Sequence, residues 1–538
     1  MKNKIVIHRI IFIVIFTLIS FYIILPPVNI QSPDFYKYLL LIYVIWKASG
    51  LISIRERIQI FSKSGILKKN NSSFKSVDIY AVLVIIVVIF IINLFFSPLF
   101  MSKSYANRIT IDETSTFIED VKLVDFNKIP LLDKDSSKKL GDRVMGQMPE
   151  LVSQFYVSDK YTQINYNDEI IRVTPLEYDG LIKWFTNRKV GVKGYITVDS
   201  VDGESELIKL ENGMKIMPSA YFNEDLKRYL RFNYPTKVFA EESFEIDNER
   251  NPYWIIPTIK YTAIGLKREI EGVIILNPIS GESEYYDVTN IPTWVDQVYK
   301  ADLIIEQVDN WGSYQNGFLN SIFGQKGVVQ TTDGYNYMVQ NDDVFMYTGI
   351  TSVSNDEANI GFILTNLRTK ETKYYAVPGA EEYSAMDSAE GQVQQMEYKA
   401  TFPLLINLNN RPTYLISLKD NAQLVKMYAF VDVVDYQKVV VSDASLGIEE
   451  AARIYLESVK LEENDSEMIT KEIIIKNIKD GVIEGNTYYY VTDQDNKNYR
   501  ISLKNNETTL PFLKINDTIT ISYYDSEGLI NIISIKWT

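Results

Sequence analysis

The chain of 538 residues contains no cysteine and a single histidine, His8. Without cysteine there are no disulfides, so every domain must be stable on packing alone. Together the two absences exclude, beyond residue 8, a Ser/His/Asp triad, a cysteine nucleophile and a histidine-containing zinc site. Positive charge is also scarce where a nucleic-acid binder would need it. Of the 55 Lys and Arg and 69 Asp and Glu, 11 basic and 3 acidic residues precede residue 100, which leaves the remainder with a formal charge of about −22. That sign opposes binding to a phosphate backbone. No K-T-G triplet accompanies the S-x-x-K spacing of Ser136 and Lys139, so the serine acyltransferase pattern is incomplete.

Carboxylate chemistry such as glycan hydrolysis survives these exclusions. The adjacent pairs Glu241-Glu242, Asp342-Asp343 and Glu381-Glu382 would point to opposite faces of a strand and read as surface charge. Asp493, Asp495 and Asn496, like Asn355, Asp356 and Glu357, lack the full EF-hand spacing and read as hairpin turns. No catalytic residue, metal ligand or cofactor is assigned.

Apolar residues crowd the first hundred positions, in Ile10 to Leu25, Phe35 to Ile52 and Ile79 to Leu99. These stretches predict three membrane-spanning helices. Ile24-Leu25-Pro26-Pro27 offers no small-residue cleavage site, which argues against a removed signal peptide. Arg55, Arg57, Lys63, Lys68, Lys69 and Lys75 lie between the second and third stretches, and no basic residue lies between Pro26 and Asp34. By the positive-inside rule the amino terminus and the basic loop are cytoplasmic, and residues after about 100 are extracytoplasmic. Lys47 and Asn93 read as a snorkelling cation and an interhelical hydrogen bond rather than a transport path.

The stretch Glu271 to Val288, EGVIILNPISGESEYYDV, occurs in variant form at Lys193 to Leu210, KGYITVDSVDGESELIKL, and at Ile360 to Val377, IGFILTNLRTKETKYYAV. β-Branched and aromatic arms around a polar connection predict a hairpin, with Gly203 and Gly281 where the turn needs positive φ. Lys370 occupies that place in the third copy. A left-handed conformation there would cost roughly 1 kcal/mol, so the third turn is expected to differ. Strand period predicts that Ile196, Ile274 and Ile363 share one inward position.

Between the copies, further elements are expected. One helix covers Ser136 to Met148, capped by Asp135, and another covers Leu176 to Arg188, opened by Pro175 with Leu181, Ile182, Trp184 and Phe185 on its apolar face. Others cover Ser219 to Asn233, Trp294 to Val308, Glu381 to Gln395 and Gly447 to Val459. Trp311 to Tyr337 reads as a long loop plus a hairpin. Helices followed by antiparallel strands give an α+β fold class, repeated helix-plus-sheet modules outside the membrane behind a three-helix anchor. In this the Tyr253 to Val288 block, ending NPISGE, resembles the PepSY type of cystatin-like module, which implies an extracytoplasmic inhibitory or interaction role and no catalytic residue. A wider resemblance, on SIFGQKGVVQTTDGYNY at Ser321 to Tyr337 and GAEEYSAMDSAEGQV at Gly379 to Val393, is to a family of large bacterial membrane-anchored proteins sometimes labelled colicin-V-production-like. Five short strands after residue 468, with Pro511 to Leu513 as linker helix, look like an OB-fold barrel. The domains expected are 1–99 anchor, 100–130 connector, 131–460 α+β domain and 468–538 barrel.

Tyrosine is abundant, with 37 residues, and exposed aromatics suit sugar rings or a protein partner. The expected binding surface is Trp311, Tyr314, Phe318, Phe323, Tyr335 and Tyr337. The function expected is a non-enzymatic, membrane-anchored scaffold or interaction protein of the bacterial cell envelope, in contact with the lipid bilayer and with a protein partner or wall polymer. The alternative is a wall-glycan enzyme using Asp and Glu, and the third reading is a sensor acting through a partner.

Overall fold

The computed structural model describes residues 2–63, 76–340, 342–353, 355–463, 469–483, 486–503, 510–523 and 530–537. The side chains of the basic stretch from Arg55 to Lys75, and of Asn355, Asp356 and Glu357, lie outside the described residues, as does most of the acidic stretch Leu461 to Glu467. Chain contacts divide the protein into two units, Met1–Ala451 and Ala452–Thr538.

Four helices come first: α1 (Lys2–Ile24), α2 (Pro33–Lys63), α3 (Ser76–Phe95) and α4 (Pro98–Ala106). Among the described residues Ile7–Ile24 is long and apolar enough by itself to cross a membrane. Tyr80–Phe95 with Pro98–Ala106, bent by 48°, forms a second candidate pair. β1 (Ile111–Asp112) then lies parallel to the third hairpin, and α5 (Phe117–Asp120) leads into an extended connector.

Four five-strand units follow, each a helix and then a sheet. Sheet one comprises β2 (Phe155–Val157), β3 (Thr162–Tyr166), β4 (Glu169–Tyr178), β5 (Val192–Asp199) and β6 (Ser205–Met214), preceded by α6 (Lys134–Gly146) and α7 (Pro149–Val152) and interrupted by α8 (Leu181–Asn187). Sheet two, after α9 (Leu226–Asn233), comprises β7 (Val238–Phe239), β8 (Ser243–Ile246), β9 (Pro252–Lys260), β10 (Glu269–Leu276) and β11 (Ser283–Asp287). Sheet three, after α10 (Ala301–Tyr314), comprises β12 (Val329–Thr331), β13 (Asn336–Gln340), β14 (Asp343–Ser352), β15 (Asn355–Asn366) and β16 (Thr372–Tyr375), with β1 and β17 (Gly379–Ala380) added at its margins. Sheet four, after α11 (Glu382–Gln392), comprises β18 (Lys399–Ala400), β19 (Leu404–Leu408), β20 (Arg411–Lys419), β21 (Val425–Asp432) and β22 (Val439–Asp443). In every sheet two short strands pair with the two halves of the same long strand, and the long strand pairs with the hairpin.

The three copied hairpins agree bond for bond. Ile196 faces Leu207, Ile274 faces Tyr285 and Ile363 faces Tyr374 across their hairpins. All three isoleucines are fully buried. Each turn opens on an Asp or Asn whose carboxyl or amide oxygen accepts the N–H groups two and three residues on: Asp199 from Val201 and Asp202, Asn277 from Ile279 and Ser280, Asn366 from Arg368 and Thr369. Gly203, Gly281 and Lys370 all have positive φ, at 82°, 80° and 66°. The third turn therefore does not differ, contrary to the expectation from Lys370. Its ammonium donates to the Arg108 carbonyl and the Glu269 carboxylate, which offsets the backbone strain. Sheet four carries a fourth version that the sequence comparison missed. Asp432 accepts from Val434 and Asp435 in the same way, but its turn is one residue longer, which breaks an ungapped alignment. Replacing Asp199, Asn277, Asn366 or Asp432 by Ala is expected to lower stability by about 1–2 kcal/mol at each site. Urea melts of the four variants check this, and a neutral substitution would show that turn to be held by other contacts.

The four units close a circuit. One face of sheet two, through Trp254, Ile256 and Ile274, shares a core with sheet one and with Leu226 and Leu230 of α9. Its other face, through Ile255, Val273 and Ile275, joins Val344, Met346 and Ile363 of sheet three and Leu303, Ile304 and Val308 of α10. This is the alternation expected of a strand buried on both faces. Sheets three and four meet through Phe362 against Tyr414 and Tyr347 against Phe402, with ring centroids 5.9 and 6.1 Å apart. Sheet four returns to α6 of the first unit, where Ser136 Oγ donates to the Gln423 carbonyl and Lys419 pairs with Asp133.

Several expected elements shift. Asp133, not Asp135, caps α6, accepting the Ser136 N–H. Pro175 lies inside β4, level with the gap between β2 and β3, where no neighbouring strand needs an N–H from it. Helix α8 is consequently short, and of its apolar set Trp184 is buried whereas Ile182 and Phe185 are 76% and 67% exposed. Trp311 belongs to α10 rather than to a loop.

The second unit contains the end of α12 (Ile448–Glu463) and a closed antiparallel barrel with one parallel closure. Its strands are β23 (Ile469–Ile483), β24 (Asn486–Asp493), β25 (Asn498–Ser502), β26 (Thr518–Tyr523) and β27 (Ile530–Trp537), in the order β23-β24-β25-β27-β26. Ile475, Tyr499, Ile519 and Ile521 fill it. Asp493 is used in a turn, accepting the Asp495 and Lys497 amides and the Tyr499 hydroxyl.

Candidate functional site

The short strands β3, β8, β13 and β19 form the inner rim of the circuit, where β3 touches β8 and β14, and β13 touches β19. The connector after α5 runs along β19: Val124 donates to the Asn407 carbonyl, and the Asn407 amide donates to the Val121 carbonyl. On either side of Ile129 and Pro130 lie two cavities, of about 320 and 310 Å³, volumes in the range of small-ligand sites.

The first is walled by Asn165, Asp168, Gln340, Asp342 and Asn407. Among the described residues the side-chain oxygens of Asn165 and Asn407 are buried without a hydrogen-bond partner, at a cost of about 1–3 kcal/mol each. The second is walled by Asp133, Arg172, Tyr335, Tyr337 and Ser417. Arg172 donates to Gln163 Oε1 at 2.6 Å and to the Leu132 carbonyl. Burial pushes its guanidinium down to about 10, partly countered by Asp133. Burial also acts to raise the Asp133 carboxyl, but the hydrogen bond and charge of Lys419 and the Ser136 amide outweigh it and hold the carboxyl below its usual range. Tyr335 and Tyr337 stand edge to face, 5.5 Å apart, and burial, reinforced by Tyr335, raises the Tyr337 phenol. Gly334, at φ +96°, admits Phe402, since a Cβ there would come within 2.5 Å of its ring. Asn336 then ties the strand to the Phe402 carbonyl.

The six aromatics expected to form one surface divide. Tyr335 and Tyr337 line the second cavity. Trp311 packs beside Tyr374, Tyr314 stacks on Phe318 and meets Tyr105 of α4, and Phe323 is 81% exposed on a π-helical turn, Asn320–Gly324. Arg172, Asn165 and Asn407 were not anticipated. The one legible signal was a charged residue inside the apolar run EIIRVTPLEY. The S-x-x-K serine, Ser136, is spent on the Gln423 carbonyl.

A buried acid pair, Glu245 and Asp296, lies behind the rim. Glu245 accepts the amides of Asp296 and Gln297 and the Ser243 hydroxyl, and Asp296 accepts the Asn165 amide. These bonds commit both carboxyls to holding the backbone between sheets one, two and three. Desolvation raises both, Asp296 well above its ordinary value with Glu245, Asp343 and Asp342 adding to it; Lys300, itself lowered by burial, counters the rise at Glu245. A carboxyl raised in the folded state gives most stability below the unfolded value near 4 and loses it as pH rises from there toward the folded value. Asp296→Asn is therefore expected to raise the melting temperature at pH 7–8, with the gain vanishing near pH 4. A gain independent of pH would disprove the assignment.

No protein-family model matches the sequence, and no curated protein matches it. Among solved structures, the cobalt-substituted Synechocystis apocarotenoid oxygenase aligns at 9% identity over 54% of this chain and 47% of its own, with a TM-score of 0.12. A mutant of that Synechocystis oxygenase aligns at 7% over 71% and 65%, with a TM-score of 0.13. Trypanosoma rangeli sialidase in complex with 2,3-difluorosialic acid aligns at 6% over 70% and 53%, with a TM-score of 0.12. The chain thus spans about half to two thirds of the length of these structures. Likeness at this level carries no argument about fold or activity.

Proposed function

We propose that this chain is a non-enzymatic scaffold of a bacterial cell envelope, anchored by α1, α2 and the α3–α4 pair with its amino terminus in the cytoplasm, that holds a hydroxyl-rich wall polymer at the rim of its four-sheet circuit. The observation that carries this reading is the pair of neighbouring cavities at the rim, one walled by Asn165, Asp168, Gln340, Asp342 and Asn407 and the other by Arg172, Tyr335 and Tyr337. A wall of carboxylate and amide side chains suits hydroxyl groups, and pyranose faces suit tyrosine rings. The helix-on-sheet units suit the interaction role implied by the PepSY-like resemblance. The barrel, with its strand order and the short helix before β26, suits an OB-type assembly module.

Co-sedimentation of the detergent-solubilised full chain with purified peptidoglycan sacculi tests the proposal. Tyr335→Ala and Asn165→Ala are expected to lower retention at least tenfold, and Glu204→Ala, on an exposed hairpin turn, to leave it unchanged. Equal retention of all variants, or none by the parent protein, would reject the wall polymer as ligand.

A further inference from the structure

A larger cavity lies elsewhere, where the ends of α1 and α2 meet sheet two. It measures about 820 Å³. One wall comes from the helices, with Ile23, Ile24, Tyr38 and Leu41 as its apolar part and the ion pair of Asp34 and Lys37 beside them. The facing wall comes from α9 and sheet two and carries Lys227, Arg231 and Phe239, together with Glu241 and Glu242, both of which pair with Lys160. The joint between the walls is firm. Val28 donates to the Pro235 carbonyl, Gly265 to that of Gln31, and Phe232 packs edge-on against Phe21.

Arg231 is the unusual member. Its residue is 5% exposed, and its guanidinium donates to four backbone carbonyls, those of Leu25, Tyr234, Pro235 and Lys237. Among the described residues no carboxylate pairs with it, whereas Lys160 and Lys37, which line the same cavity, pair with Glu242 and Asp34, which line it too. Burial alone pushes Arg231 down to about 10. An uncompensated buried cation is expensive unless an anion joins it. The carbonyl of Leu25, where α1 ends in a left-handed residue at φ 55°, offers only a partial negative charge.

We propose that this cavity binds an anionic, phosphate-bearing amphiphile, its phosphate beside Arg231 and Lys227 and its hydrocarbon along Ile23, Ile24 and Leu41. The site lies at the end of an apolar helix, so a lipid can enter it sideways from a bilayer. It rests on reading the first hundred residues as a membrane anchor and is independent of the polymer at the rim.

Native mass spectrometry of the full chain, released from micelles doped with phosphatidylglycerol or phosphatidylcholine, counts retained lipid. One phosphatidylglycerol is expected to persist where phosphatidylcholine does not. Arg231→Gln is expected to reduce the retained fraction at least tenfold. Because Arg231 also holds backbone carbonyls, Ala240→Trp, which fills the cavity, and Lys227→Glu, on its exposed rim, provide independent readings and are each expected to reduce retention at least fivefold with circular dichroism unchanged. Equal retention of both lipids, or no loss in the two folded variants, would overturn the proposal. Displacement by millimolar inorganic phosphate would overturn the amphiphile in favour of a soluble anion. Flotation of the parent chain with liposomes separates the two readings: failure to float rejects the anchor itself, whereas flotation without selective retention rejects this site alone.

Discussion

Replacing Arg108 by Ala is expected to destabilise the first unit by about 3 kcal/mol, the low end for breaking a buried ion pair, because its carboxylate partners are partly exposed. Arg108 is 3% exposed in its side chain and bridges Glu269 at 2.9 Å and Glu306 at 2.5 Å, and it donates to the Arg268 carbonyl. Glu269 also receives Lys370, and Glu306 receives Arg268. One guanidinium thus ties the chain just after α4 to sheet two, α10 and the third hairpin turn. Truncation leaves two carboxylates facing each other with less positive charge. Adding Glu306→Gln to Arg108→Ala is expected to restore about 1 kcal/mol. Denaturant midpoints of the single and double variants decide it, and an additive double variant would mean that the bridge contributes only packing.

Ile196→Ala, Ile274→Ala and Ile363→Ala should each cost about 2–5 kcal/mol, the usual range for truncating a fully buried aliphatic side chain. The three positions have the same hairpin register and the same absence of solvent exposure. Similar costs are therefore expected, with differences reflecting how far each site collapses around the lost atoms. Ile196 lies beside Gly141 of α6, so relaxation there requires a helix to move. Chemical denaturation of the three variants measures this. A near-zero cost at one site would show that its sheet contributes little to the cooperative unit.

These expectations trace what was legible in the chain. The repeated hairpin was, because turn chemistry and strand period are local: an Asx oxygen, a residue with positive φ and an inward isoleucine recur at fixed offsets. The fourth copy was hidden by one added residue in the Asp432 turn. Pro175 misled in the opposite direction. It opens helices often, but here an interruption in the neighbouring strand lets it sit inside β4.

The site was legible only in part. Tyr335 and Tyr337 were singled out as aromatics, but so were Trp311 and Tyr314, which pack against α10's surroundings and α4. Nothing in composition distinguishes an aromatic lining a cavity from one packed under a helix. Asn165 and Asn407 are separated by more than two hundred residues and line one cavity only because β3 and β19 both lie on the inner rim. Arg231 likewise looks like an ordinary helical cation until burial leaves it without a carboxylate.

By itself the sequence determined the apolar first hundred residues, the acidic remainder, the exclusion of thiol and histidine chemistry beyond residue 8, and the helix-then-hairpin grammar of the α+β part. Each follows from residue type or from spacing within about twenty positions. Only the tertiary structure decided that four such units close a circuit, that the connector runs along β19, and which polar groups are left unpaired at the rim and beside the helix ends. Those depend on contacts between residues far apart in the chain, and burial, which sets the energy of an unpaired oxygen or an uncompensated guanidinium, exists only once those contacts are made.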